Sequence, residues 1–153
     1  MGEVTIRHAG AEDAFIVAAL RLQTARDLGM QPEHGYLDRV ADAWLARLED
    51  RPTWVAEHEG DHAGILETQR VRRLPWPGRP DASWLHLDAL FVRPSHRGAG
   101  VGRALVEAMV GWARETDVSC VRLDAPEEPA RRFYAHLGFR SPHRLMELEL
   151  RTP

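Results

Sequence analysis

Arg97-Gly98-Ala99-Gly100-Val101-Gly102 constrains this chain more than any other stretch. It follows a strand-like run over residues 84–92 and opens a helical pattern from Gly100 to about Glu115, with Val101, Leu105, Ala108, Met109 and Trp112 on the apolar side. Small residues at 98, 99, 100 and 102 let a ligand approach the backbone closely. At a helix start several N–H groups lack intrahelical partners and carry partial positive charge. Strand, glycine loop and helix start together make a cradle for phosphate. A Walker loop would need a lysine followed by Ser or Thr, but the chain contains no lysine and has Arg103-Ala104 there. A dinucleotide fingerprint would need G-x-G-x-x-G early in a βαβ unit, whereas Gly98 begins G-x-G-x-G late in the chain.

Around this unit the pattern is that of one α+β domain over residues 1–153, without repeats or linkers. Val4, Ile6 and His8 alternate as a first strand. Residues 12–28 read as a helix ended by Gly29, with Phe15, Ala19, Leu22 and Arg26 on one side and Ile16 and Leu20 beside them. Leu37, Val40, Ala41, Trp44, Leu45 and Leu48 predict a second helix. Residues 53–57 and 63–73 flank Glu59-Gly60-Asp61 as a β-hairpin, and the proline-rich stretch 74–81 is a loop. Residues 118–124 predict a strand, and 127–137 a short helix closed by Gly138 in a left-handed cap. Residues 145–151 alternate as a closing strand.

Composition excludes several classes. With 20 basic and 23 acidic residues, nothing pulls the chain toward nucleic acid. No apolar run reaches the roughly 20 residues of a membrane span, and the N-terminus lacks the features of a signal peptide. The single cysteine, Cys120, rules out an internal disulfide, fits a reducing cytoplasm, and is expected to be a buried strand residue. No metal site is expected among the eight histidines.

Two segments carry a family likeness. Arg97-Gly98-Ala99-Gly100-Val101-Gly102 matches the pattern R/Q-x-x-G-x-G/A, and Ala130-Arg131-Arg132-Phe133-Tyr134-Ala135-His136-Leu137-Gly138-Phe139 matches A-x-x-x-Y-x-x-x-G-F. On these segments, in this order, the chain resembles the GNAT superfamily of N-acetyltransferases. The resemblance implies a central, mixed but mainly antiparallel twisted sheet of six to seven strands with about four helices, in the order β-α-α-β-β-β-α-β-α-β. It implies acetyl-CoA as cosubstrate, held where two parallel strands splay apart. The backbone of Leu90, Phe91 and Val92 would meet the pantetheine amides, a strand-like recognition. Arg97, Gly98, Ala99, Gly100, Val101, Gly102 and Arg103 would hold the pyrophosphate. Tyr134 occupies the family's tyrosine position and would stabilise the departing thiolate; the alternative is a tyrosine that packs against Phe139. Where members often carry asparagine, seven residues before the tyrosine, this chain has Glu127, which complements a helix N-terminus or attracts a cation.

Strand alternation puts Trp84, His86, Asp88 and Leu90 on one face and Leu85, Leu87, Ala89 and Phe91 on the other. His86 and Asp88 are therefore candidates for handling the proton of an attacking amine, unless they are simply a solvated polar pair. Trp44, Trp54, Trp76 and Trp84, with Glu67, Asp81 and Asp88, lie in segments that would line an acceptor pocket for a cationic amine. Of the tryptophans Trp44 is expected in the core and Trp76 in the pocket. The acceptor is a small-molecule, peptide or protein amine, and a homodimer would suit the family. A non-catalytic acyl-CoA sensor would keep the glycine loop without needing Tyr134, and a purely structural domain would leave the loop unexplained.

Overall fold

Glu59 and Gly60 both adopt positive φ, 54° and 80°, the geometry of the two-residue turn whose twist suits a hairpin. They join β2 (Thr53–His58) to β3 (Asp61–Arg72), as the sequence pattern leads one to expect. The structure is a computed structural model that describes residues 2–79, 82–125 and 127–151. By contacts the chain divides into two units, Met1–Leu123 and Asp124–Pro153.

The first unit is built on a sheet in the order β1-β2-β3-β4-β5. β1 (Val4–His8), β2, β3 and β4 (Ser83–Val92) pair antiparallel, and β5 (Val118–Arg122) joins β4 in parallel. On one face Val55, Ile65 and Phe91 pack with Val17, Ala18 and Leu20 of α1 (Ala14–Asp27) and with Ala41 and Trp44 of α2 (Tyr36–Ala46). On the other, α3 (Val101–Arg114) buries Val101, Leu105, Val106 and Met109. Gly64 of β3 lies under α3 because a Cβ there would sit 2.7 Å from the Phe91 carbonyl oxygen and 3.3 Å from Leu105 Cδ1. Gly64→Ala is expected to cost about 1–3 kcal/mol, as overpacking does, seen as a lower urea midpoint; an unchanged midpoint would mean that β4 can move aside.

Three sequence expectations need correction here. α1 turns Ala14, Val17, Ala18 and Leu20 inward and leaves Phe15 65% exposed; its first two turns are apolar all round, so periodicity cannot select the face. Cys120 is exposed, on β5, the outermost strand of the sheet among the described residues. The face assignment along β4 reverses at Asp88. Thr68 pairs with Leu87 and Glu67 with Ala89, so Asp88 is an extra residue, a β-bulge. Leu85 and Leu87 lie on the α3 side, while Ala89 and Phe91 join His86 on the α1–α2 side, since paired residues share a face.

In the second unit α4 (Glu128–His136) ends at Gly138, φ 94°, where Phe139 N donates to Tyr134 O at 3.1 Å and Gly138 N to Ala135 O at 3.1 Å. This is the expected left-handed cap. Residues 145–151 form no strand, and Met146 is 95% exposed. Alternation in Leu-Glu-Leu-Glu-Leu meets the side-chain requirement of a strand, but a strand also needs a ladder partner. The sheet thus has five strands among the described residues, not six to seven. The four α-helices agree with expectation.

Candidate functional site

The parallel ladder between β4 and β5 is short. It pairs Ser83 with Val118, Leu85 with Val121 and His86 with Arg122, and goes no further, while β3 accompanies β4 on its other side as far as Val92. From Leu87 to Val92 the β5-facing edge of β4 is therefore without a strand partner among the described residues. Buried backbone amides seek partners, so this edge suits an extended, amide-bearing ligand. Leu90 and Val92 are half-buried and Phe91 is buried, so side chains serve packing while the main chain is the part on offer.

The edge runs directly into the glycine loop. After a 3-10 turn over Pro94–His96, Gly98 and Gly100 take φ of 82° and 81°. The left-handed region disfavours any residue with a Cβ, yet a Cβ at either position would meet nothing within 4 Å. The glycines are thus required by backbone direction rather than by protein crowding, and the space above them is open. Gly100 caps α3, and the first helical bond is Ala104 N to Gly100 O at 3.0 Å. The N–H groups of Val101, Gly102 and Arg103 therefore have no intrahelical acceptor. Val101 itself is buried; only its backbone can serve a ligand.

The two arginines behave differently from a simple phosphate clamp. Arg97 Nε donates to Val92 O at 3.0 Å, its Nη2 meets Asp27 Oδ2 at 3.2 Å, and its guanidinium lies 5.9 Å from the Phe91 ring centre. It ties the loop to β4 and α1. Arg103 is exposed and pairs with Glu107 one turn on, 2.8 Å away.

Toward the other end of the unpaired edge lies a polar cluster on the α1–α2 face. His86 Nε2 stands 3.6 Å from Asp88 Oδ1, and Asp88 Oδ2 receives Arg51 Nη1 at 2.6 Å. Beside the bulge, Glu67 is only 4% exposed and receives Arg21 Nη1 at 2.7 Å. Burial pushes the Glu67 carboxyl up; Arg21 opposes this and Asp88 reinforces it. Arg21, in turn, is held more firmly protonated by Glu67. Of the three carboxylates expected to line the acceptor pocket, Glu67 and Asp88 are thus already paired, and Asp81 lies outside the described residues. Sequence spacing gives no hint of Arg21 or Arg51, which arrive from α1 and from the approach to β2.

Trp44 is core, its Nε1 donating to Thr53 Oγ1 at 3.0 Å. Trp54 is also core, stacked on His8 at 5.0 Å and edge-on to Trp112 at 5.6 Å. Trp76 is exposed, and Trp84 lies beside His86, 6.3 Å between ring centres, beneath the Arg122 guanidinium. In the second unit Tyr134 is buried edge-on between Phe133 and Phe139, at 5.0 and 5.4 Å. Burial pushes its phenol up to about 12. Glu127 is the N-cap residue of α4 but makes no side-chain capping hydrogen bond.

A sheet whose parallel strands part beside a glycine-rich helix start has the geometry that suits a phosphate-bearing ligand with an amide-containing arm. The chain belongs to the acetyltransferase (GNAT) family, whose model matches residues 16–139. It is 33% identical over 105 residues to the peptidyl-lysine N-acetyltransferase YjaB of Escherichia coli (strain K12), covering 69% of this chain and 60% of that protein. It spans 38% to 54% of the length of three further curated relatives. To the aminoglycoside N(6')-acetyltransferase type 1 of Stenotrophomonas maltophilia it is 29% identical, covering 93% of this chain and 90% of that one. Its fold is similar to that of a "predicted acetyltransferase with acetyl-CoA" from Clostridium acetobutylicum, with a TM-score of 0.77, 19% identity and 97% of both chains covered. No helix among the described residues is long and apolar enough to cross a membrane.

Proposed function

We propose that this chain, acting as one domain, is an acetyl-CoA-dependent N-acetyltransferase that moves the acetyl group to a primary amine by direct attack in a ternary complex. The observation that carries this reading is the unpaired β4 edge over residues 87–92, which runs into two left-handed glycines at the start of α3. Edge and loop fit the cosubstrate: amides can meet the strand, and the free N–H groups of residues 101–103 can meet pyrophosphate. Acetyl-CoA supplies an activated thioester. The residues of the chain then have three tasks: to take a proton from the amine, to stabilise the developing oxyanion and to stabilise the thiolate. His86 takes the amine proton, with Asp88 and its Arg51 partner holding the imidazole in place. Tyr134 donates a hydrogen bond to the leaving sulfur. Relatives named for peptidyl-lysine and for an aminoglycoside support an amine acceptor, small or on a peptide.

Thiol release from acetyl-CoA, followed across a panel of amines and peptides with the product confirmed by mass spectrometry, tests the reading. Acceptor-dependent release is expected. Tight CoA binding without release from any acceptor would favour an acyl-CoA sensor instead, and absence of CoA binding would remove the proposal altogether. With the acceptor in hand, His86→Ala is expected to lower kcat/KM about 10²-fold near neutral pH, the lower end for a lost general base. The loss should shrink at alkaline pH, where the amine arrives already deprotonated. Parallel wild-type and variant pH profiles would remove His86 from proton handling.

A further inference from the structure

The strongest unassigned feature is a pair of buried histidines outside the acetyl-transfer cluster. His58 closes β2, and His96 ends the 3-10 turn just before Arg97. Both are buried, and their Nδ1 atoms face each other at 2.9 Å. Glu59, in the hairpin turn, brings a carboxylate oxygen within 4.8 Å of the ligating atoms of both rings. We propose that His58, Glu59 and His96 form a binding site for a divalent transition ion of the zinc type.

Four observations support it. Two nitrogens bound to one ion at about 2.0–2.1 Å stand roughly 2.9–3.4 Å apart, for ligand angles between right and tetrahedral, and the Nδ1 pair falls at the near end of that range. His96 Nε2 lies 3.3 Å from Asp61 Oδ2. With its proton on Nε2, beside that carboxylate, His96 turns its Nδ1 lone pair toward His58, in the way outer carboxylates set the tautomer of metal-binding imidazoles. The Nδ1–Nδ1 contact leaves His58 Nε2 buried with no hydrogen-bond partner, so hydrogen bonds within the protein do not fully satisfy the pair. Finally, Glu59 is the one non-glycine residue at positive φ among the described residues. Strain of this kind collects at ligand clamps, and Asn or Gly would be the easier choice for the turn. Two imidazoles and a carboxylate suit zinc, copper or nickel better than magnesium or calcium.

The sequence expectation of no metal site did not register that His58-Glu59-Gly60-Asp61-His62 has H-x-x-x-H spacing. That spacing signals a site when it lies on a helix, and here it straddles a hairpin. His58 pairs with Asp61 and His62 with Glu57, so the two histidines lie on opposite faces. The third ligand comes from residue 96, which no local spacing could reveal. An ion held there would tie the β2–β3 turn to the residue that precedes the glycine loop.

Calorimetric titration of the chelator-treated, dialysed full chain with zinc chloride, without CoA, tests the site. One saturable equivalent is expected, with a raised melting temperature. His96→Asn should weaken zinc binding at least a hundredfold. Glu59→Gln, at an exposed side chain that threatens no packing, should weaken it about tenfold, near the low end for a perturbed metal site. His34→Asn, an exposed histidine elsewhere, should leave the affinity unchanged. Cobalt in place of zinc should give visible absorption bands that Glu59→Gln shifts. Absence of a saturable equivalent, or an affinity indifferent to both Glu59→Gln and His96→Asn, would overturn the proposal. Should His96→Asn fail to fold, the Glu59→Gln titration and the cobalt spectrum decide alone.

Discussion

Gly100→Glu is expected to leave the fold standing and to lower the affinity for CoA by at least about a hundredfold. An added Cβ at Gly100 would meet no protein atom within 4 Å, so nothing in the core has to move. The folded state bears the cost of a left-handed residue at φ 81°, about 1–2 kcal/mol, in the free and bound forms alike. That term lowers stability and cancels from binding. What remains in binding is charge: a carboxylate placed about 4 Å from a phosphate, at an effective dielectric of about 20, costs on the order of 4 kcal/mol. Salt screening and side-chain rotation reduce this, and about 3 kcal/mol still corresponds to two orders of magnitude in Kd. Gly100→Ala separates the two effects, since it keeps the backbone cost and omits the charge. It should bind CoA with little loss and unfold slightly earlier. Calorimetry with CoA, beside circular dichroism of both variants, makes the comparison; an unchanged Kd for Gly100→Glu would remove this loop as the pyrophosphate site.

What could be read in the chain beforehand was what local spacing encodes. The hairpin turn at Glu59-Gly60, the cap at Gly138 and the apolar stripe of α3 each depend on neighbours a few residues away. Turn and cap form as expected; α3 buries Val101, Leu105 and Met109 as expected, but buries Val106 and Ala113 where Ala108 and Trp112 stay half-buried. The strand–loop–helix unit around Gly98 and Gly100 is legible for the same reason. Tertiary choices were not. Nothing within residues 84–92 announces that Asp88 bulges; the bulge follows from how β3 pairs across from it. The alternation of residues 145–151 describes a surface that could be one side of a strand, but not whether a partner edge is there. Glu67 reads as a free carboxylate for a cationic acceptor until α1 supplies Arg21 and burial makes its ionisation costly. Because Arg21 and Arg51 come from elements far along the chain, the polar cluster beside His86 is balanced in charge where sequence alone suggested an acidic pocket.

Tyr134→Phe is expected to lower kcat about 10²-fold, while the affinity for acetyl-CoA stays within about twofold. Removing a single positioned donor from a developing negative charge typically costs a factor of this size or more. The ring of Tyr134 is fixed edge-on between Phe133 and Phe139, and phenylalanine keeps that packing, so only the hydroxyl is lost. Burial holds the phenol near 12, which decides how that hydroxyl can act. It is protonated throughout the working pH range and therefore always a donor. Handing its proton fully to a thiolate of pKa ~8.5 would run uphill by roughly 3.5 units, or about 5 kcal/mol. A hydrogen bond that strengthens as the carbon–sulfur bond breaks has no such cost. The wild-type pH profile should accordingly show no falling limb from Tyr134 between neutrality and pH 10, whereas a proton donor with an ordinary phenol would begin to fail there. Single-turnover rates for the two proteins, with acetyl-CoA affinity measured by calorimetry, separate the effect on chemistry from that on binding. Equal rates would assign Tyr134 to packing against Phe139, and equal loss of rate and affinity would make it a cofactor contact rather than a partner of the leaving sulfur.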